Sequence, residues 1–183
     1  MTRRVLHDAV SLKHFAIVDR LDVLEERHGH LEEPRWCEEV HEEIKKGAGF
    51  TIENSRILTA TWLGTPEPIA AEDMAEAYKF HVVLNEGREP PTEHAGEAYS
   101  IFLGQKIGAI FYTDDETAYD WALAKVRSGL GGARDTIAVL REAVSMGELS
   151  KTEACDLVLE MQQKGREFRH IHDGKITPAY FDL

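Results

Sequence analysis

Six residues of this chain have the types and spacing that could do chemistry: Asp8, Glu39, Glu97, Thr113, Asp114 and Asp115. Carboxylates brought close together cannot all ionise cheaply in the absence of a cation. Oxygen-rich groups of this kind suit a hard divalent ion such as Mg²⁺, which takes a few carboxylates and completes its shell with water or phosphate. The densest grouping lies in GEAYSIFLGQKIGAIFYTDD, residues 96–115. Ala98, Ile101, Phe102 and Gln105 fall at i, i+3, i+4 and i+7, which predicts a helix with one polar interruption in its apolar face. Gly108 closes that helix. Residues 109–112, Ala-Ile-Phe-Tyr, are too few for a helix and favour a buried strand. Thr113, Asp114 and Asp115 then stand at the carboxyl end of that strand, where open α/β sheets place their ligands. Glu97 lies one turn before Ile101 and points with the apolar face. A purely local reading also exists: Thr113 and Glu116 match a capping box, and acids favour the first turn of a helix.

The elements that position these residues can be read along the chain. Residues 4–7 predict a buried first strand ending near Asp8, with Ser11 as the cap of the next helix. Leu12, Phe15 and Ala16 begin a helical period that runs to Gly29, with Asp19-Arg20 as a candidate break. Pro34 is placed to open an acidic helix, with Trp36, Val40 and Ile44 on its buried face. On that helix Glu38 falls opposite the buried face, whereas Glu39 and Glu43 border it; Glu39 is the one expected to look inward. Residues 50–64 read as extended, 69–84 as helical and 85–91 as a loop, after which Thr92 can cap the helix carrying Glu97. Further helices follow Asp115, Asp135 and Ser150, the last with a clear Ser-x-x-Glu capping box ending on Glu153. Strand pieces alternating with helices predict an α/β fold with a mainly parallel sheet.

Composition sets outer bounds. A length of 183 residues suits one domain. No run approaches the ~18 apolar residues of a membrane span, and the first ten residues lack the apolar core of a signal peptide. Cys37 and Cys155 are the only cysteines and have no metal-type spacing, so a cytoplasmic location is expected. The formal charge of −12 argues against coating nucleic acid by bulk charge. It permits acids that hold metal ions, which supply local positive charge, and it leaves room for a basic partner. His7-Asp8 would suit an HD-type phosphohydrolase, but that class is all-helical and this pair follows a strand. His28, His30, His170 and His172 form no zinc set of known spacing.

The order of these segments resembles the PIN-domain nucleases and, within them, the VapC-like branch. VLHDAVSLKHFAIVDRLDVLEERHG is similar to that branch's first strand, catalytic aspartate and following helix. EPRWCEEVHEEI is similar to its proline-led helix, and GEAYSIFLGQKIGAIFYTDDETAYDWA to its Gly-Glu-Ala helix and Thr-Asp-Asp strand end. RDTIAVLREAVSMGELSKTEACDLVLEM is similar to its C-terminal helix pair. The resemblance implies a PIN-like α/β/α sandwich over residues 1–165, matched least well at 50–92, with 166–183 as a tail. It implies metal-dependent hydrolysis of RNA with Mg²⁺ or Mn²⁺ as cofactor. Asp8 would be a central ligand, Glu97 with Asp115 or Asp114 further ligands, and Glu39 a ligand directly or through water. Thr113 would orient a carboxylate or water. It also implies a homodimer and a cognate antitoxin. A catalytically inactive PIN-like binding or regulatory protein is the alternative.

Overall fold

The computed structural model describes residues 3–30, 32–169, 171 and 175–182. Its centre is a sheet of four parallel strands in the order β2-β1-β3-β4: β1 Arg3–His7, β2 Glu32–Trp36, β3 Ile110–Tyr112 and β4 Gly132–Arg134. Nine α-helices among the described residues surround it: α1 Ala9–Ile17, α2 Asp22–His30, α3 Glu38–Gly47, α4 Ile52–Leu58, α5 Met74–Leu84, α6 Ala95–Ile107, α7 Glu116–Lys125, α8 Thr136–Ser145 and α9 Lys151–Gln163. Successive strand residues point to opposite faces, and the core divides accordingly. Val5, Ile110 and Tyr112 pack with residues of α1, α2, α3, α4, α8 and α9. Leu6 and Phe111 pack with α5, α6 and α7. The α/β expectation with a parallel sheet therefore holds. The strand-borne His7, wedged edge-on against Tyr112 at 5.0 Å, is incompatible with an all-helical HD fold. Among the described residues no helix is long and apolar enough to cross a membrane.

Several local expectations are corrected. Pro34 opens no helix; it sits inside β2 opposite Val5, where the missing N–H is tolerated because β2 is an edge strand. Trp36 accordingly ends a strand, and α3 begins only at Glu38. Residues 50–64 are not extended: they hold α4 and a 3-10 turn at Thr61–Leu63. The apolar run there misled because Phe50 and Ile52 are exposed while Asn54 and Ile57, one turn apart, are buried against α1 and α3. The cap of α1 is Asp8, with Ser11 as the donor. His94, in left-handed conformation, precedes α6 in place of Thr92, whose N–H bonds Asn85 Oδ1. Asp19 at φ 57 marks the break between α1 and α2. The capping box at Ser150 and Glu153 forms as expected.

Strand β4 was not legible because it contains no β-branched residue. A close backbone approach makes it: Gly131 N–H donates to Ala109 O at 2.7 Å, and a Cβ on Gly131 would lie 2.7 Å from Gly108 O. The C-terminal segment packs back on α9 through a 3-10 turn at Pro178–Phe181.

Between α2, α8 and the sheet lies a buried ionic network. Arg27 is fully buried and pairs with Glu142, with Glu32 at 3.7 Å and with Glu148 at 3.8 Å. Glu32, also buried, accepts from Tyr112 Oη at 2.8 Å. Burial opposes the charge on Arg27, but Tyr112, Glu32, Glu142 and Glu148 outweigh it and hold the guanidinium firmly protonated. Removing one partner of such a cluster leaves the other as an uncompensated buried charge. Arg27→Ala should therefore lower unfolding free energy by roughly 3–5 kcal/mol. Adding Glu32→Gln should restore part of that loss. Urea denaturation of the two single variants and the double variant measures the coupling, and strict additivity would refute it.

Candidate active site at the carboxyl edge of the sheet

Strands β1 and β3 are neighbours, and the chain leaves β1 toward β2 on one side but enters β3 on the other. Their carboxyl ends form the switch point at which open α/β sheets leave a crevice. Asp8 follows β1 there and Thr113-Asp114-Asp115 follow β3. Asp8 N–H donates to Tyr112 O at 3.1 Å, and Thr113 N–H donates to Arg134 O at 2.9 Å, so the ends of β1, β3 and β4 are tied together.

Asp8 is 1 % exposed. Its Oδ1 accepts from Ser11 N–H at 2.6 Å, capping α1, and its Oδ2 accepts from Thr113 Oγ1. The same Thr113 hydroxyl accepts from Asp115 N–H at 3.1 Å. Thr113 is thus hydrogen-bonded to the Asp8 carboxylate, and Asp115 caps α7 in place of the Thr113/Glu116 capping box. Burial pushes the Asp8 carboxyl well above the usual carboxylate range, and the Glu97 charge pushes it further. The bonds from Thr113 and Ser11 oppose this without reversing it, and Asp114 adds to the rise.

Glu97, in the first turn of α6, is 9 % exposed. Gly96 lets α6 approach α3, since a Cβ there would lie 3.0 Å from Val40 Cγ2. The Glu97 carboxyl is also raised, first by burial and then by the charges of Glu43 and Asp115, with His94 opposing. Asp8, Glu97, Asp114 and Asp115 are thus brought within electrostatic reach of one another. Glu39 is raised by burial and by Glu38, and it sits beside Cys37 and Tyr99. It faces a cavity of about 640 Å³ between α3 and α6 that Glu43 and Glu97 also line. The α3 acid that acts on Glu97 is Glu43, itself paired with Lys13 Nζ at 2.6 Å. Glu43 borders the buried face of α3 just as Glu39 does, so helical periodicity alone could not rank the two.

The adjacent aspartates differ. Asp114 is 9 % exposed and uses both oxygens: Oδ1 accepts from Thr136 N–H at 3.1 Å and Oδ2 from Thr136 Oγ1 at 2.6 Å, with His14 Nδ1 3.2 Å from Oδ2. His14 and Thr136 carried no sequence signal, being ordinary helix residues until α1 and α8 meet. Asp115 is half-buried and caps α7 through Oδ1 alone, accepting from Ala118 N–H at 2.7 Å.

The donor set fits a hard divalent cation in its chemistry: the groups are carboxylates, Asp8, Glu97 and Asp114 are buried, and their mutual repulsion would be relieved by positive charge. Among the described residues no three His, Cys, Asp or Glu side chains converge closely enough to hold a metal as they stand. The histidine quartet lies outside the described residues in His170 and His172 and in the side chains of His28 and His30. Comparison with family models, curated proteins and solved structures yields no match.

The raised carboxyls give a pH dependence with a definite sign. Asp8 and Glu97 keep protons in the folded state at pH values where the unfolded chain has lost them, so they stabilise the fold below the ordinary carboxylate range. That contribution is lost as pH rises through their folded values. In chelator, the melting temperature of the wild type should fall relative to Asp8→Asn between about pH 5 and pH 8. Asparagine keeps the cap, so the fold is retained. Mg²⁺ or Mn²⁺ should raise the wild-type melting temperature more at the upper end of that range. A wild type whose pH profile parallels that of the variant would refute the assignment.

Proposed function

We propose that this protein is a metal-dependent endoribonuclease of PIN-like architecture that hydrolyses RNA phosphodiester bonds. The observation that carries the reading is Asp8: a carboxylate buried at the switch point of a parallel sheet and placed under the charges of Glu97 and Asp114. Such a site gains from a cation, and phosphoryl transfer is the chemistry in which cation and carboxylates work together. Asp8, Glu97 and Asp115 would hold the ion, with Glu39 or Glu43 at its margin. Bound there, Mg²⁺ or Mn²⁺ supplies water activation and polarisation of the phosphoryl oxygen. Thr113 fixes the rotamer of Asp8. Asp114, bonded to Thr136 and beside His14, sets the approach of α8 to α1 and is assigned a positioning role. Burial raises the carboxyls of Glu97 and Glu39, which makes each a stronger proton acceptor than an exposed glutamate.

The same reading makes the protein the toxin of a toxin–antitoxin pair, cytoplasmic and homodimeric. The glutamate-lined cavity between α3 and α6 would suit a basic segment of an antitoxin. One observation favours the second reading, a catalytically inactive PIN-like binding protein: Asp8 and Asp114 already use both carboxylate oxygens to hold the fold.

Incubation of labelled single-stranded RNA with the protein in Mn²⁺, in Mg²⁺ and in chelator separates the two. Cleavage should require metal and fall to background in Asp8→Asn. Thr113→Val, which removes the hydroxyl that orients Asp8, should lose about 10–100-fold in rate. Absence of wild-type cleavage, combined with no effect of metal on melting, would turn the assignment to the inactive binding protein.

A further inference from the structure

Glu97 differs from the other buried carboxylates in what holds it. Asp8 is fixed by donors from Ser11 and Thr113, and Asp114 by both donors of Thr136. Among the described residues the Glu97 carboxylate has no hydrogen-bond or ion-pair partner beyond its own residue. A side chain without such bonds depends on the rigidity of the element that carries it. Here that element is the first turn of α6.

The segment that launches this turn is held by α5 and the residue that follows it. Asn85, directly after α5, is buried and meets Glu93 as a paired backbone would. Its Oδ1 accepts from Glu93 N–H at 3.1 Å, and its Nδ2 donates to Glu93 O at 2.5 Å. The same amide accepts from Thr92 N–H at 3.3 Å and donates to His81 O at 3.1 Å. Both acceptor positions and both donors of the side chain are thus used. His81, on α5 and also buried, reaches Glu93 O through Nε2 at 2.6 Å. A carbonyl only accepts, so this nitrogen carries the proton. The His81 ring also lies edge-on to Tyr99 of α6 at 5.6 Å. His94 follows at φ 61, a left-handed conformation that is uncommon outside glycine and persists where its surroundings hold it. His94 O then accepts from Ala98 N–H at 3.0 Å, and α6 is under way. The residues from Thr92 to Glu97 form one continuous wall of the cavity that Glu39 and Glu43 line from α3.

We infer that Asn85, with His81, is a positioning residue for the carboxylate edge: the two clamp the start of α6 and thereby fix the place of Glu97. This inference rests on the nuclease reading for the role of Glu97 as a metal ligand.

Mn²⁺ affinity, measured by isothermal titration calorimetry, tests the clamp without catalysis. Asn85→Ala should weaken binding about 10–100-fold, the usual cost of losing a group that orients a metal ligand. Asn85→Asp, equal in size, should fare no better, because it sets a carboxylate oxygen against the carbonyls of His81 and Glu93. His81→Gln, which can still donate to Glu93 O, should bind more tightly than His81→Ala. In a Glu97→Gln background Asn85→Ala should cost nothing further, since its effect runs through Glu97. Full affinity in Asn85→Ala or Asn85→Asp, or an equal loss in both backgrounds, would overturn the inference. Hydrogen exchange in chelator reads the same clamp without metal. Asn85→Ala should speed exchange at Ala98 N–H and leave Asp8 N–H, bonded to Tyr112 O at 3.1 Å, unchanged. Equal acceleration at both amides, or none at Ala98, would reduce Asn85 to a contributor to general stability and refute its positioning role. If Asn85→Ala fails to fold, the two His81 variants carry both comparisons. Wild-type protein that neither binds Mn²⁺ nor cleaves RNA would sink the catalytic reading alone, and the exchange pattern would then decide the clamp.

Discussion

Burial of like charge at the end of β1 is the constraint on which the rest of this site depends. The Asp8 carboxylate has two donors in place, Ser11 N–H and Thr113 Oγ1, and both favour its ionised form. Burial and the charge of Glu97 oppose them and prevail. A carboxylate used only as a helix cap has no need of that conflict; an exposed aspartate, serine or asparagine caps as well. The surrounding chain nevertheless sustains the conflict. Gly96 brings α6 in close, Thr113 locks Asp8 across the sheet, and Asp115 and Glu43 add charge to Glu97. Either protons or a cation must resolve it, and which of them does so separates an inert fold from a catalytic one.

Much of this edge was legible because it is built from local signals. Asp8 follows a short apolar run, Thr113-Asp114-Asp115 follows another, and Glu97 lies in helical phase with Ile101. Each inference needed only the period of one element. The failures came where a tertiary partner decides. Pro34 reads as a helix opener unless β2 is known to be an edge strand. Residues 50–64 carry enough apolar residues for a strand, but their placement against α1 and α3 makes them helical. Strand β4 exists because Gly131 tolerates a backbone approach that no propensity scale encodes. The choice between Glu39 and Glu43 depended on where α6 docks, which is a relation between two helices and not a property of either. For the same reason His14 and Thr136 left no local trace.

Net charge also conceals how the charged groups are distributed. The formal charge of −12 describes the whole surface, but the chemistry depends on where its parts lie. Glutamates concentrate between α3 and α6. Between α7, α8 and the C-terminal segment the lining is mixed, with Arg134, Arg141 and Arg169 beside Asp114, Asp135 and Glu142. Beneath α2 and α8, Arg27 joins Glu32, Glu142 and Glu148 in a network that consumes charge internally. The carboxylate edge borders both regions, so an approaching ligand meets glutamates on one and mixed charge on the other.

Asp114 and Asp115 make the point at the smallest scale. They are adjacent and chemically identical, and their positions in the chain offered no reason to prefer one as a ligand. Their surroundings separate them. Asp114 receives both donors of Thr136 and lies beside His14, so moving it would release the start of α8 from α1. Asp115 is tied only through Oδ1 to the start of α7 and remains half-buried, so its second oxygen can turn toward an ion without loosening a helix. Of two adjacent carboxylates, the one the fold uses less has more coordination capacity left. By that criterion Asp115 is the better ligand of the pair, and Asp114 is the residue that holds the crevice in shape.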